Sequence, residues 1–213
     1  MTTTAIPFRT HPVRGRLNSA FFAMMEGTID RALREPRQRF AGLDGVVVDL
    51  GAGNGPVLRY LRPGTVVHAV EPNPYFHRRL RENASAAGVE LTVHQVPGEA
   101  TDLPDAGADA VVCTWVLCSV DDPAAVLREV RRILRPGGRF VFIEHVAAPA
   151  GPVRLAQRLV HRPWHWVFEG CHTDRDTAAA IRAAGFASVE ITEFPFRSAV
   201  VPIRTQIAGV ATA

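Results

Sequence analysis

Five short apolar runs punctuate the chain, at Val46 to Leu50, Thr65 to Val70, Leu91 to Val96, Ala110 to Val116 and Arg139 to Val146. Each is nearly continuous rather than alternating, the pattern of parallel strands covered on both faces. Helical stretches are expected between them, so the order is β-α-β-α and the fold class a doubly wound α/β sheet. Between the fourth and fifth runs, Asp122 and Pro123 open a helix that places Val126, Leu127, Val130, Ile133 and Leu134 on one face. Arg135-Pro136-Gly137-Gly138 then stops it.

Upstream, Asn18 to about Arg34 predicts a helix with Phe21, Phe22, Met25, Ile29 and Leu33 as its apolar stripe, ended by Pro36. It is either a packing helix or a cap over substrate. Residues 147 to 172 read as irregular, rich in Pro, Trp and His, before helix and strand patterns return at Asp174 to Ala184, Ala187 to Phe194 and Pro202 to Val210. No repeat or linker interrupts the pattern. One domain over residues 1–213 is expected, with 1–40 as helical cap, 43–146 as ligand-binding core and 147–213 as acceptor-pocket segment and final strands.

All 24 basic residues are arginine, which excludes Schiff-base chemistry and a Walker A phosphate loop, since both need a lysine. The net charge of +3 is uneven: residues 1–40 hold seven Arg against three acids, and the remainder holds 17 against 18. A nucleic-acid surface concentrates its cations on one face with aromatics between, so an excess built at one end is weak evidence for one; no nucleic-acid partner is expected, and an acidic ligand or a membrane surface stays open. Three cysteines, Cys113, Cys118 and Cys171, form no C-x-x-C pair, so a reducing cytoplasm is the expected location. The start, MTTTAIPFRT, has no apolar core, and no stretch reaches the ~18 apolar residues of a spanning helix, so no integral membrane segment is expected.

The first run ends in Asp49-Leu50-Gly51-Ala52-Gly53-Asn54-Gly55, and the second ends in Glu71, 22 residues after Asp49. Glycines at a strand-to-helix turn let a ligand approach the backbone, and a carboxylate at the tip of the next strand accepts both hydroxyls of a ribose. The pairing predicts a nucleoside cofactor. A dinucleotide fingerprint would place a third glycine where Pro56 stands, and an acid precedes the first glycine. Both features favour S-adenosylmethionine over NAD.

Through VVVDLGAGNG, AVEPNP, GEATDLP and the LRPGG turn, residues 43 to 146 resemble the class I S-adenosylmethionine-dependent methyltransferases. The resemblance implies a Rossmann-like seven-stranded sheet. It also implies that Gly51, Ala52 and Gly53 pass beside the methionine moiety with Asp49 orienting the loop, and that Glu71 holds the ribose. Asn73 would flank the adenosine, Glu99 would stand near the adenine amino group, and Thr114 and Trp115 would line the methionine end, where an indole can face the sulfonium or simply pack in the core. A closer resemblance runs through VVCTWVLCSV, VLREVRRILRPGG, IEHVA and Trp164-x-x-x-Phe168-Glu-Gly-Cys171, to the methyltransferase-like thiol S-methyltransferases. It implies a small thiol acceptor and S-adenosylhomocysteine as product, with O- or N-methylation as the alternative.

Glu144 and His145 end the fifth run, on the sheet edge where open α/β folds bind ligands, and are the candidates for orienting or deprotonating an acceptor. Trp164, His165 and Phe168 are expected to line the acceptor pocket, with Phe21, Phe22 and Met25 as its other wall. His161-x-x-x-His165 beside Cys171-His172 has the spacing of a zinc pair, but Pro163 argues against a regular helix there, and no metal is expected.

Overall fold

The computed structural model describes residues 10–196 and 200–213. Most of the N-terminal stretch whose lack of an apolar core was noted, MTTTAIPFR, lies outside the described residues. The strands are β1 (Val46–Leu50), β2 (Val66–Val70), β3 (Glu90–His94), β4 (Ala108–Thr114), β5 (Leu134–His145), β6 (Ser188–Pro195) and β7 (Thr205–Thr212). They form one sheet in the order β3-β2-β1-β4-β5-β7-β6. The first five are parallel, and β7 runs antiparallel to both β5 and β6. The helices are α1 (Pro12–Arg37), α2 (His77–Ala87), α3 (Pro123–Ile133), α4 (Pro152–Val167) and α5 (Thr177–Ala183).

Alternation along each buried strand divides the core in two. Val48, Leu50, Val111, Cys113, Phe140 and Phe142 face α3 and α5, packing on Val126, Leu127, Val130, Ile133 and Ile181. The neighbouring positions Val47, Val67, Ala69, Val112, Val141 and Ile143 face the opposite way, onto Leu33, Phe40, Leu80 and Ala84. Burying two complete faces is what requires the near-continuous apolar runs.

Three expectations are corrected. Helices do not separate all of the strands: β1 reaches β2 through a 3-10 turn at Leu58–Tyr60, and residues 95–107 reach β4 without a helix. Pro56, Pro63, Pro97 and Pro104 interrupt both connections, and Leu33 of α1 with the following Phe40 covers part of the face that a first crossover helix would have taken. Helix α1 begins earlier than expected, under a His11 cap, and runs through Pro36 to Arg37. Residues 152–167, read as irregular, form α4 with Pro163 inside it. Proline removes the hydrogen bond to the carbonyl four residues back, at Leu159; both residues are exposed, so solvent can take that carbonyl and the helix continues.

Candidate active site

The parallel strands deliver the functional side chains to one edge of the sheet. Gly51 turns the chain off β1 at φ +64°, and its N–H donates to the Val70 carbonyl at 2.8 Å. A Cβ there would stand 2.3 Å from Val116, so this glycine serves close packing of the segment after β4. Ala52 is buried in the core. Gly53 differs from both: at φ +53° it has no atom within 4 Å of where its Cβ would lie, and that open space is where a ligand can lie against the backbone. Of the three turn residues expected beside the methionine moiety, Gly51 and Gly53 are half-buried and Ala52 is buried, and Gly53 has open space on its Cβ side.

Glu71 ties this turn to the next strand. Its Oε2 accepts the Gly53 N–H and its Oε1 the Asn73 N–H, each at 2.8 Å. Each carboxylate oxygen has two lone pairs, so one on each remains for a ribose hydroxyl. Burial pushes the carboxyl up to about 7, against the pull of the two backbone bonds. Burial, with Glu71 nearby, likewise pushes Asp49 up to about 8. Asp49 Oδ2, Asn54 Oδ1 and Thr114 Oγ1 are buried without hydrogen-bond partners. Orphaned acceptors around an open glycine turn suit a cofactor bearing an ammonium, a sulfonium and two ribose hydroxyls.

Trp115 lies just past β4 at φ +59°, a strained backbone of the sort that clusters at functional sites. Its Nε1 donates to Gln206 at 2.7 Å and its ring meets Phe196 edge-on, so the indole is fixed by β7 and the core. Glu99 lies partly exposed in the connection after β3.

Helix α1 roofs the site. The Asn73 amide donates to the Gly15 carbonyl, Ser19 Oγ to the Tyr75 carbonyl, and Asn18 Nδ2 to the Val167 carbonyl and to Glu169. Phe21 packs on Phe168 at 5.6 Å and on Phe22 at 5.5 Å, and Phe168 lies 4.3 Å from Trp164. Met25 is partly buried on the same helix. The two expected pocket walls thus meet through Phe21 and Phe168. Sequence reasoning missed Asn18, Gln206 and Glu169, the last at φ +44° with Asn73 Nδ2 3.4 Å from its carboxylate. The Phe168-Glu169-Gly170-Cys171 motif was the available signal for Glu169.

Glu144 is fully buried, and its Oε1 accepts the N–H groups of Val116 and Leu117 at 2.9 and 3.1 Å while Oε2 accepts that of Cys118 at 3.3 Å. The carboxylate thus clamps the turn after β4. His145 Nε2 lies 3.1 Å from Cys171 Sγ, which also accepts the Trp164 indole N–H at 3.1 Å and stands 3.9 Å from Cys118 Sγ. Burial alone would lower His145, but the Cys171 sulfur and Glu144 hold it above its ordinary value. His145 Nδ1 is buried and has no hydrogen-bond partner. His165, expected at the pocket, instead joins His161 and His172.

Residues 48–142 match the family described as methyltransferase domain. Thiol S-methyltransferase TMT1B of Rattus norvegicus is 36% identical over 169 residues, covering 78% of this chain and 69% of that protein. The Homo sapiens protein of the same name is 36% identical over 189 residues, covering 84% and 77%. Among solved structures, a SAM-dependent methyltransferase from Thermotoga maritima superposes with a TM-score of 0.65 at 19% identity, covering 93% of this chain and 96% of its own. A matched domain model, two relatives aligned over most of their length and a Rossmann-like fold agree with the glycine turn and the carboxylate beside it: the chain belongs to the class I S-adenosylmethionine-dependent methyltransferases, in the family of the thiol S-methyltransferases.

Proposed function

We propose that this chain methylates the sulfur of a small, partly apolar thiol. The observation that carries the reading is Glu144: this carboxylate at the end of β5, the candidate base, is spent on three backbone N–H groups, which suits an acceptor that ionises by itself. A thiol with pKa near 8.5 is already a few per cent thiolate at neutral pH. The names of the relatives support the same acceptor class. Three unpaired cysteines support a reducing compartment such as the cytoplasm. No described helix is long and apolar enough to cross a membrane.

Bound S-adenosylmethionine would supply an electrophilic methyl group on a sulfonium. Glu71 would hold its ribose, Gly53 would give its backbone room, and Asp49, Asn73 and Thr114 would surround the turn. Phe21, Trp164 and Phe168 would enclose the acceptor and exclude water, so that alignment of the reacting atoms carries most of the rate. His145 Nδ1 favours a second reading, since an unpartnered buried imidazole nitrogen could take the proton of an alcohol or amine acceptor.

Rates measured against pH for thiols of different pKa are expected to show midpoints that follow each thiol. A midpoint fixed by the enzyme, or phenols turned over faster than thiols, would promote O-methylation. Phe168→Ala is expected to raise acceptor KM by about tenfold, from lost ring contacts with Phe21 and Trp164. Cofactor affinity should stay near wild type; an unchanged KM would remove the aromatic wall from the acceptor site.

A further inference from the structure

Three histidine rings and a carboxylate meet near the end of α4. His161 and His165, one turn apart, stack with ring centres 6.0 Å apart, and His172 closes on both, at 5.2 Å from His161 and 4.7 Å from His165. Asp174 brings a carboxylate oxygen 3.2 Å from His161 Nδ1. Ligand atoms of His161, His172 and Asp174 all lie within 4.8 Å of one another, on partly buried residues. The segment carrying the last two is anchored beforehand: Thr173 Oγ1 donates to the Gln157 carbonyl at 2.9 Å, and Arg154 to the Asp174 carbonyl at 3.3 Å.

The ring nitrogens separate this cluster from ordinary histidine packing. On β2 and β3, His68 Nδ1 and His94 Nε2 are 3.0 Å apart and His94 Nδ1 meets Asp102 at 2.9 Å, a hydrogen-bonded relay in which protons join the rings. At α4, His165 Nδ1 is buried and makes no hydrogen bond, while His161 Nδ1 meets the Asp174 carboxylate at ion-pair distance without hydrogen-bond geometry. A nitrogen and a carboxylate that meet off hydrogen-bond geometry can share a cation. Nitrogen and oxygen ligands at ~2.0–2.2 Å around a tetrahedral ion sit roughly 3.3 Å apart, close to the separation of His161 and Asp174. The proline that argued against this pair in the sequence does not break the helix, so His161 and His165 do share a face.

We propose that His161, His172 and Asp174 form a binding site for a divalent first-row transition-metal ion, with zinc the best match. Imidazole and carboxylate ligands without sulfur suit that ion, and three protein ligands leave the fourth tetrahedral position to water. The ion would tie the end of α4 to residues 172–174. Next along the chain, Arg175 donates to the carbonyls of Leu117 and Val120, each at 2.7 Å, so the tie would also steady the turn after β4.

The test is equilibrium Zn²⁺ binding to the full chain after chelator treatment, by competition with a chromophoric chelator, together with the Co²⁺ absorption spectrum. Expected are one ion per chain, a tetrahedral Co²⁺ spectrum without thiolate charge-transfer bands, and a melting temperature that rises with Zn²⁺. His172→Ala and Asp174→Asn alter partly exposed positions and should leave the fold intact. Each should weaken binding by more than the roughly 10–100-fold that losing an outer-shell partner costs. His94→Ala and Cys171→Ser should leave it unchanged. Absence of saturable binding overturns the proposal, as does equal binding in His172→Ala. Loss of binding in Cys171→Ser with retention in His172→Ala also overturns it, because the ion would then sit among Cys118, His145 and Cys171.

Discussion

Replacing Glu71 with alanine is expected to weaken S-adenosylhomocysteine binding by at least about tenfold in a chain that remains folded. Each charge-assisted bond from a ribose hydroxyl is worth roughly 1.5–3 kcal/mol, and about 1.4 kcal/mol is a factor of ten. Truncation also strands the Gly53 and Asn73 N–H groups, each worth ~1–3 kcal/mol where water does not replace the carboxylate, so the affinity is read on the fraction that melting curves show to be folded. The folded chain keeps the proton up to about pH 7, whereas the unfolded chain releases it near 4.5. The corresponding stability is therefore fully present below 4.5 and lost as pH rises through about 7. Asp49, raised from 3.8 to about 8, acts in the same sense over a wider window. Cofactor affinity runs the other way, strengthening as the Glu71 carboxylate forms. Calorimetry on either side of pH 7 should show that rise in the wild type and its absence in Glu71→Gln. An unchanged affinity in folded Glu71→Ala would remove the ribose assignment.

The parts of this site legible in the sequence are those fixed by position on a strand. Val46 to Leu50 reads as a strand because the sheet buries all but the first of these five residues, and both Gly53 and Glu71 stand just beyond strand ends, where open sheets bind ligands. At the sheet edge the signal weakens. Strand β3 alternates between exposed and half-buried positions and starts one residue earlier than its apolar run. Helix α4 is hidden for a different reason: its apolar residues do recur at helical spacing, with Leu155, Leu159 and Trp166 left exposed, but prolines stand among them. The prolines at 152 and 163 then outweighed the remaining helical signal.

What tertiary structure alone decides is how each polar group spends its hydrogen bonds. Nothing in the dipeptide Glu144-His145 distinguishes a base from a clamp; three N–H groups about 27 residues away make that distinction. Gly51 and Gly53 look equivalent in the motif, yet one packs on Val116 and the other faces open space.

Glu144→Ala is expected to be the most damaging single substitution at the site, costing at least about 3 kcal/mol of stability and lowering cofactor affinity with it. The side chain is fully buried and accepts from Val116, Leu117 and Cys118, while Cys113 Sγ donates to it at 3.3 Å. Truncation would strand three backbone donors, each worth ~1–3 kcal/mol when left unsatisfied away from water. They belong to the turn that follows Trp115, whose φ of +59° persists only while its surroundings enforce it. Release of that turn would also withdraw Val116 from Gly51 and loosen the glycine turn itself. Glu144→Gln separates a clamp from a base. An amide can keep the Oε1 bonds to Val116 and Leu117 but turns an NH₂ toward the Cys118 N–H, so a clamp predicts an intermediate loss of about 1–3 kcal/mol, with kcat and its pH profile nearly preserved in the folded fraction. Thermal melts and single-turnover rates decide between the roles: a collapse of kcat at unchanged melting temperature would make Glu144 the base that takes the acceptor proton.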